Sequence, residues 1–257
     1  MRNFAAIYGK ELRSYFASPV AYVMAGVSLL FSGYMFNYFL LRFARYCLTF
    51  NQGMGRGGPS PNLNTMVVTT FFGFKFFVWM IVMPFLTMRL YAEEKKTGTI
   101  ELLITSPVTT LQTLAAKFAA CLTLYAAVEA VGFAHIAILS VYGALDWGPV
   151  ISAYAAVLLM GGAFVALGIF ASAMTENQII AGVVSFFLLI SLWLIDLSSQ
   201  FVGPAFGAVL GYLSVLEHLR DFQRGVVDTG DVVFFLSLIA FGLFLTHTVL
   251  ESRRWRQ

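Results

Sequence analysis

Hydrophobic positions fall into six long runs joined by short polar connections, preceded by one segment of mixed pattern. In that opening segment Phe4, Ile7, Tyr8, Leu12, Tyr15 and Phe16 recur at intervals of one, three and four, with Lys10 and Arg13 on the other side. The spacing predicts an amphipathic helix over 4–17 that lies in a membrane surface and does not cross it. Ser18-Pro19 closes it, because the residue before a proline is pushed out of the helical region. The runs at 20–41, 67–88, 111–141, 150–173, 178–195 and 232–250 predict six transmembrane helices, each close to or above the roughly 20 apolar residues a bilayer requires. The third run is longer than that, which predicts tilt or projection beyond the bilayer.

The connections differ in kind. Residues 53–61 are rich in Gly and Pro and have no hydrophobic period, so they read as an exposed loop. Their glycines do not make a phosphate cradle, since the lysine and the strand-to-helix context of G-x-x-x-x-G-K-[ST] are missing. Residues 89–109 form the densest polar stretch. There Gly98 suits the left-handed position past a helix end, Thr99 can cap a new helix, Glu101 sits in its first turn and Pro107 follows its end. The expected product is a short helix with Ile100, Leu103 and Ile104 on one face. Thr175 and Gln178 have capping-box spacing at the start of the fifth run. In 197–231, Tyr212, Leu213, Leu216, Leu219 and Phe222 recur among Glu217, Arg220 and Asp221, which predicts one or two short amphipathic helices at the surface.

Composition supports the same picture. Of 257 residues, 59% are hydrophobic and only 11% charged, with a mean hydropathy of +0.81, whereas soluble domains carry about 25% charged residues. The fold class expected is therefore all-α integral membrane, one domain over 1–257 with no room for a second soluble one. The net charge of +3 is modest, and the basic residues cluster at the ends of apolar runs. They read as topology and exclude a nucleic-acid partner. Arg2, Lys10, Arg13, Arg89, Lys95, Lys96, Lys117, Arg253, Arg254 and Arg256 outnumber Arg42, Arg45, Arg56, Arg220 and Arg224 on the other side. Both termini are thus expected in the cytoplasm, and the location expected is a bacterial or archaeal plasma (inner) membrane. Cys47 and Cys121 lie in separate apolar surroundings and read as small buried thiols. The N-terminus lacks the shape of a signal peptide.

Few groups carry candidate chemistry. Glu11 falls inside the apolar stripe of the first helix, so it either bends to the headgroup layer or pairs with a basic residue, Arg89 or Lys117 being the candidates. Lys75, Glu129, His135, Asp196 and His247 lie within spans, where polar groups are expensive. Glu129 and His135, six residues apart, face opposite sides of one helix, and no metal-ligand spacing or catalytic set is expected. Counting from the outer ends of their spans at about 1.5 Å per residue puts Lys75 and Glu129 roughly 13 and 18 Å deep. They either pair with each other, or Lys75 snorkels outward while Glu129 lines another helix or a water-filled path.

Lys10-Glu11-Leu12-Arg13-Ser14-Tyr15-Phe16 with Ser18-Pro19, then Glu93-Glu94-Lys95-Lys96-Thr97-Gly98-Thr99-Ile100-Glu101-Leu102-Leu103 ending in Thr105-Ser106-Pro107, then Asn177-Gln178 and the stretch 218–231 with Arg224-Gly225, together resemble the permease subunit of type-2 ABC (ABC-2) exporters. Within that family the likeness is greatest to the GldF-type gliding-motility branch. The resemblance implies a dimer, from two copies or a paralogue, paired with separate ABC ATPase subunits that hold ATP and magnesium; this chain would be non-catalytic and carry no cofactor. It implies that residues 4–17, with Lys10, Glu11 and Arg13, are a connecting helix. It makes Glu93, Glu94, Gly98, Thr99, Ile100, Glu101, Leu103, Ile104 and Pro107 the ATPase-coupling segment, and 197–231 an external cap. Export is the activity implied, with a force-transmitting membrane anchor as the alternative and an intramembrane enzyme more remote.

Overall fold

The computed structural model describes residues 2–53, 58, 60–99, 108–199, 201 and 203–254. Among these there are ten α-helices and no strand: α1 (Arg2–Ala17), α2 (Pro19–Asn51), α3 (Thr69–Thr87), α4 (Arg89–Lys96), α5 (Thr110–Tyr142), α6 (Trp147–Met174), α7 (Gln178–Ser199), α8 (Pro204–Tyr212), α9 (Val215–Gln223) and α10 (Thr229–Arg254). A π-helical turn, Asn64–Val68, leads into α3. Six helical stretches are long and apolar enough to cross a membrane, the second running from Asn64 through α3 and α4 to Lys96. The chain is a multi-pass membrane protein.

α6 is the axis of the bundle. It packs against α3, α4, α5, α7, α9 and α10, and nearly three quarters of its apolar window is buried. Small residues permit this, because lipid gives helices no hydrophobic reason to associate and close backbone approach must supply the attraction. At Gly161 the ring of Tyr125 occupies the place a Cβ would take, and the Tyr125 hydroxyl donates to Val157 O at 2.6 Å.

Several boundaries differ from those the sequence predicts. α2 continues to Asn51, so Arg42 and Arg45 are exposed on its last turns and do not mark its end. α4 is helical where a polar loop is expected from residue 89, and its burial against α6 accounts for this: Leu90, Tyr91, Ala92 and Lys95 are all buried. At the head of α7 the capping residue is Asn177, whose Oδ1 accepts from the backbone N–H of Ile179 at 2.9 Å and Ile180 at 3.4 Å. Thr175 instead accepts from Asn177 N, so the box expected between Thr175 and Gln178 is displaced. A full capping box does open α5, between Thr109 and Gln112. α5 has 33 residues, or about 50 Å of helix, so it exceeds the roughly 30 Å of a hydrocarbon core.

Both ends of the chain lie on one face. α1 packs along α5, with the Tyr8 hydroxyl 3.0 Å from Thr123, and Thr110 at the start of α5 donates to Glu251 near the end of α10 at 2.6 Å. We call this the terminal face. On the opposite face α8 and α9 lie between α7 and α10, and Asn64 and Asp146 exchange a side-chain-to-backbone pair at 2.8 and 3.2 Å.

Candidate functional site

Ser18 is extended, Pro19 starts α2, and α1 is thereby turned across the terminal face toward α5. This brings Glu11 to Lys117, one helical turn-pair inside α5. Lys117 Nζ lies 2.8 Å from Glu11 Oε1 and 2.9 Å from Glu94 Oε1, with its side chain almost fully buried. Lys10 approaches Glu94 Oε1 at 3.6 Å from the exposed side. Below, the ring of Tyr91 sits 5.1 Å from the Lys117 ammonium, a favourable cation–π distance. One cation thus joins three separate helices, α1, α4 and α5. Of the two basic candidates for Glu11, Lys117 holds it; Arg89 instead reaches Glu93 at 3.0 Å and Ser18 Oγ at 2.8 Å. Arg13 is exposed. Nearby, burial, and after it the Cys121 thiol, push the Tyr15 phenol well above its usual range, so it stays protonated and can donate to Leu86 O at 3.2 Å.

The junction of α3 and α4 is a built discontinuity. Pro84 stands inside α3 and has no N–H to give the ladder. Thr87 Oγ1 turns back to Met83 O at 2.9 Å, a contact that bends helices. Past the break, Ser172 of α6 takes the loose backbone groups: its Oγ accepts from Tyr91 N at 3.0 Å and Ala92 N at 3.1 Å and donates to Met88 O at 2.8 Å. Lys95 Nζ caps the neighbouring end of α6 by donating to Ala173 O. Serine re-satisfying freed backbone is what makes such a break tolerable away from water.

α4 ends at Lys96 with Thr97 as its C-cap, and Gly98 takes φ +72°, the left-handed conformation that glycine adopts without a steric penalty. The Thr99 hydroxyl bonds back to Glu94 O at 3.3 Å. Ile100, Glu101, Leu103, Ile104 and Pro107, the rest of the expected coupling segment, lie outside the described residues.

Inside the bundle, Lys75 and Glu129 form a buried ion pair. The second carboxylate oxygen accepts from Trp79 Nε1 at 2.6 Å, and the ammonium lies 5.2, 5.8 and 5.3 Å from the ring centroids of Phe71, Phe72 and Tyr154. Both charges are therefore compensated, and both oxygens of Glu129 are used. Trp79 went unread in the sequence although its position four residues after Lys75 places it on the same helix face. His135 lies beside this pair without touching either charge, sharing the Phe71 ring with Lys75 and packing on Phe36, with Nδ1 on Gly132 O at 2.9 Å. Asp196 meets Ser214 at 2.8 Å and Arg220 at 3.7 Å on the opposite face. Lys75 and Glu129 thus satisfy each other, and Asp196 sits apart from them with partners of its own.

That opposite face has its own polar tie. His218 Nδ1 lies 2.6 Å from Asp231 Oδ1 and Nε2 lies 2.9 Å from Tyr212 O, with the imidazole stacked on Phe234 at 4.0 Å. It links α8, α9 and α10.

The described residues thus form an all-helical bundle with six candidate membrane spans, to which α1 is tied through the buried Lys117 and its partner on α4. The sequence model for the ABC-2 family transporter protein matches residues 51–216, more than half of the chain, and the protein belongs to that family. Membership makes it a permease subunit of an ABC transporter and implies an ABC ATPase as partner. No curated protein matches the chain.

Proposed function

We propose that the protein is the permease subunit of an ATP-driven ABC-2 exporter of the inner membrane, with its terminal face in the cytoplasm. A separate ATPase subunit, holding ATP and magnesium, docks on residues 97–109, and a second permease copy or a paralogue completes the complex. Supporting this reading is the three-way contact of Lys117 with Glu11 and Glu94. A push on the segment after Gly98 reaches α4 directly and α1 and α5 through that cation, and α4 is hinged to α3 at the Ser172-bridged break. The docking element is Ile100, Leu103 and Ile104, three aliphatic side chains whose exposure to cytosol a partner would relieve.

The experiment is reconstitution with the ATPase. Leu103→Glu should abolish assembly or coupled ATP hydrolysis while membrane insertion persists; normal coupling in that variant removes the assignment. The likeness to GldF-type gliding-motility permeases favours a second reading, a subunit that anchors or transmits force without moving a solute. It demands the same coupling, so flux in the reconstituted complex separates the two.

A further inference from the structure

Between α1, the first turn of α2 and the α3–α4 junction runs an open cleft of about 240 Å³ on the terminal face. Its polar side carries Lys10, Arg89 and Lys117 against Glu11, Glu93 and Glu94, three cations against three carboxylates. Its other side is apolar, with Val20, Ala21, Phe85 and Leu86, and Phe85 is exposed at the flank of a membrane-spanning helix. A cleft that is polar at one end, apolar at the other and set where a surface helix meets two spans matches the boundary between head groups and acyl chains.

We propose that this cleft binds one phospholipid of the adjoining leaflet through a head group that joins a primary ammonium to a phosphate, the phosphatidylethanolamine class. The balanced charge disfavours a purely anionic or purely cationic ligand and suits a zwitterion. Glu94 decides which zwitterion. Its Oε1 serves Lys117 and Lys10, whereas its Oε2 is closed to water and has no hydrogen-bond partner. Glu94 lines the cleft, and the lone pairs its carboxylate has left take an N–H donor, which a primary ammonium has and a trimethylammonium lacks. Arg89, already oriented by Glu93 and Ser18, and Lys10, exposed beside Glu94, then face the phosphate, and the glycerol and chains follow Val20, Ala21 and Phe85. The inference needs only that the chain spans a membrane, and stands or falls apart from ATPase coupling.

The test is native mass spectrometry of the purified, delipidated protein after adding phosphatidylethanolamine, phosphatidylcholine or phosphatidylglycerol with identical chains, and separately free phosphoethanolamine. One phosphatidylethanolamine per chain should be retained, and the other two lipids about tenfold less, the size of one charge-assisted hydrogen bond. Glu94→Gln and Lys10→Glu should each lower that retention, and thermal unfolding of Lys10→Glu, whose exposed side chain reaches Glu94 from outside, checks that the fold is kept. Equal retention of the three lipids, or unchanged retention in Lys10→Glu, overturns the site. Displacement by free phosphoethanolamine as effective as by the lipid overturns its membrane origin.

Discussion

The ammonium of Lys117 lies 2.8 Å from the carboxylate of Glu11, a residue 106 positions earlier in the chain. The contact fastens a helix that lies on the membrane to one that crosses it. Glu94 shares the same ammonium from α4, so Lys117 serves two carboxylates, of which Glu94 also meets the exposed Lys10 while Glu11 has Lys117. The cluster is asymmetric, and its response to mutation should be as well.

Lys117→Met should therefore destabilise more than Glu11→Gln. Removing the shared cation strands Glu11 and leaves Glu94 only the exposed Lys10, and breaking a buried pair from one side costs about 3–5 kcal/mol, whereas Glu11→Gln leaves Lys117 paired with Glu94. Thermal unfolding in detergent would rank the two, and proteolytic access to α1 should rise in both. Equal melting of both variants and the parent would show that the cluster does not hold α1.

A second prediction concerns Lys75 and Glu129. A lone charge in the spans costs on the order of 3 kcal/mol or more, so Lys75→Met should destabilise, and adding Glu129→Leu should recover most of the loss. Glu129→Leu alone leaves the ammonium to its three aromatic rings and should be the milder single change. Simple additivity in this double-mutant cycle would mean that the pair contributes nothing as a pair.

The spans were legible because twenty apolar residues in a row have few other fates. The partner of Glu11 was legible as a short list for a related reason: a carboxylate in an apolar stripe needs a cation, and few cations lie near that face. What escaped the sequence depends on tertiary proximity. Ser172 is one small residue in an apolar helix, and nothing around it signals that the backbone of Tyr91 and Ala92 will arrive there. Helix α4 was read as loop because its sequence, Arg-Leu-Tyr-Ala-Glu-Glu-Lys-Lys, is polar by composition, yet Leu90, Tyr91 and Ala92 pack inward, and Glu94 and Lys95 find partners on α5 and α6. The tie between His218 and Asp231 joins separate helices, α9 and α10, and has no periodic signature.

Close packing at the axis yields a third prediction. In Gly161→Leu the new side chain meets the Tyr125 ring, which can leave only by giving up its bond to Val157 O. Overpacking of this kind costs about 1–3 kcal/mol, and the lost hydrogen bond adds to it. A melting temperature unchanged from the parent would argue that α5 and α6 do not approach as closely as described.

The last prediction separates the hinge from the bundle. In Ser172→Ala the N–H groups of Tyr91 and Ala92 lose their acceptor and Met88 O loses its donor, and a buried backbone group left unpaired costs about 1–3 kcal/mol. Because Lys95 still holds α4 to Ala173 O, the loss should fall on the geometry of the break more than on the attachment of α4. Ser172→Ala should then fold with a modestly lowered melting temperature, and hydrogen exchange should quicken at residues 88–92 while α5 keeps its protection. If α4 serves as the lever between the ATPase and α3, coupled ATP hydrolysis should drop more than stability does. Ser172→Thr keeps the hydroxyl and should restore exchange protection at 88–92. Fast exchange in both variants would mean that the added methyl group or the fit of α6, and not the hydroxyl, governs the junction.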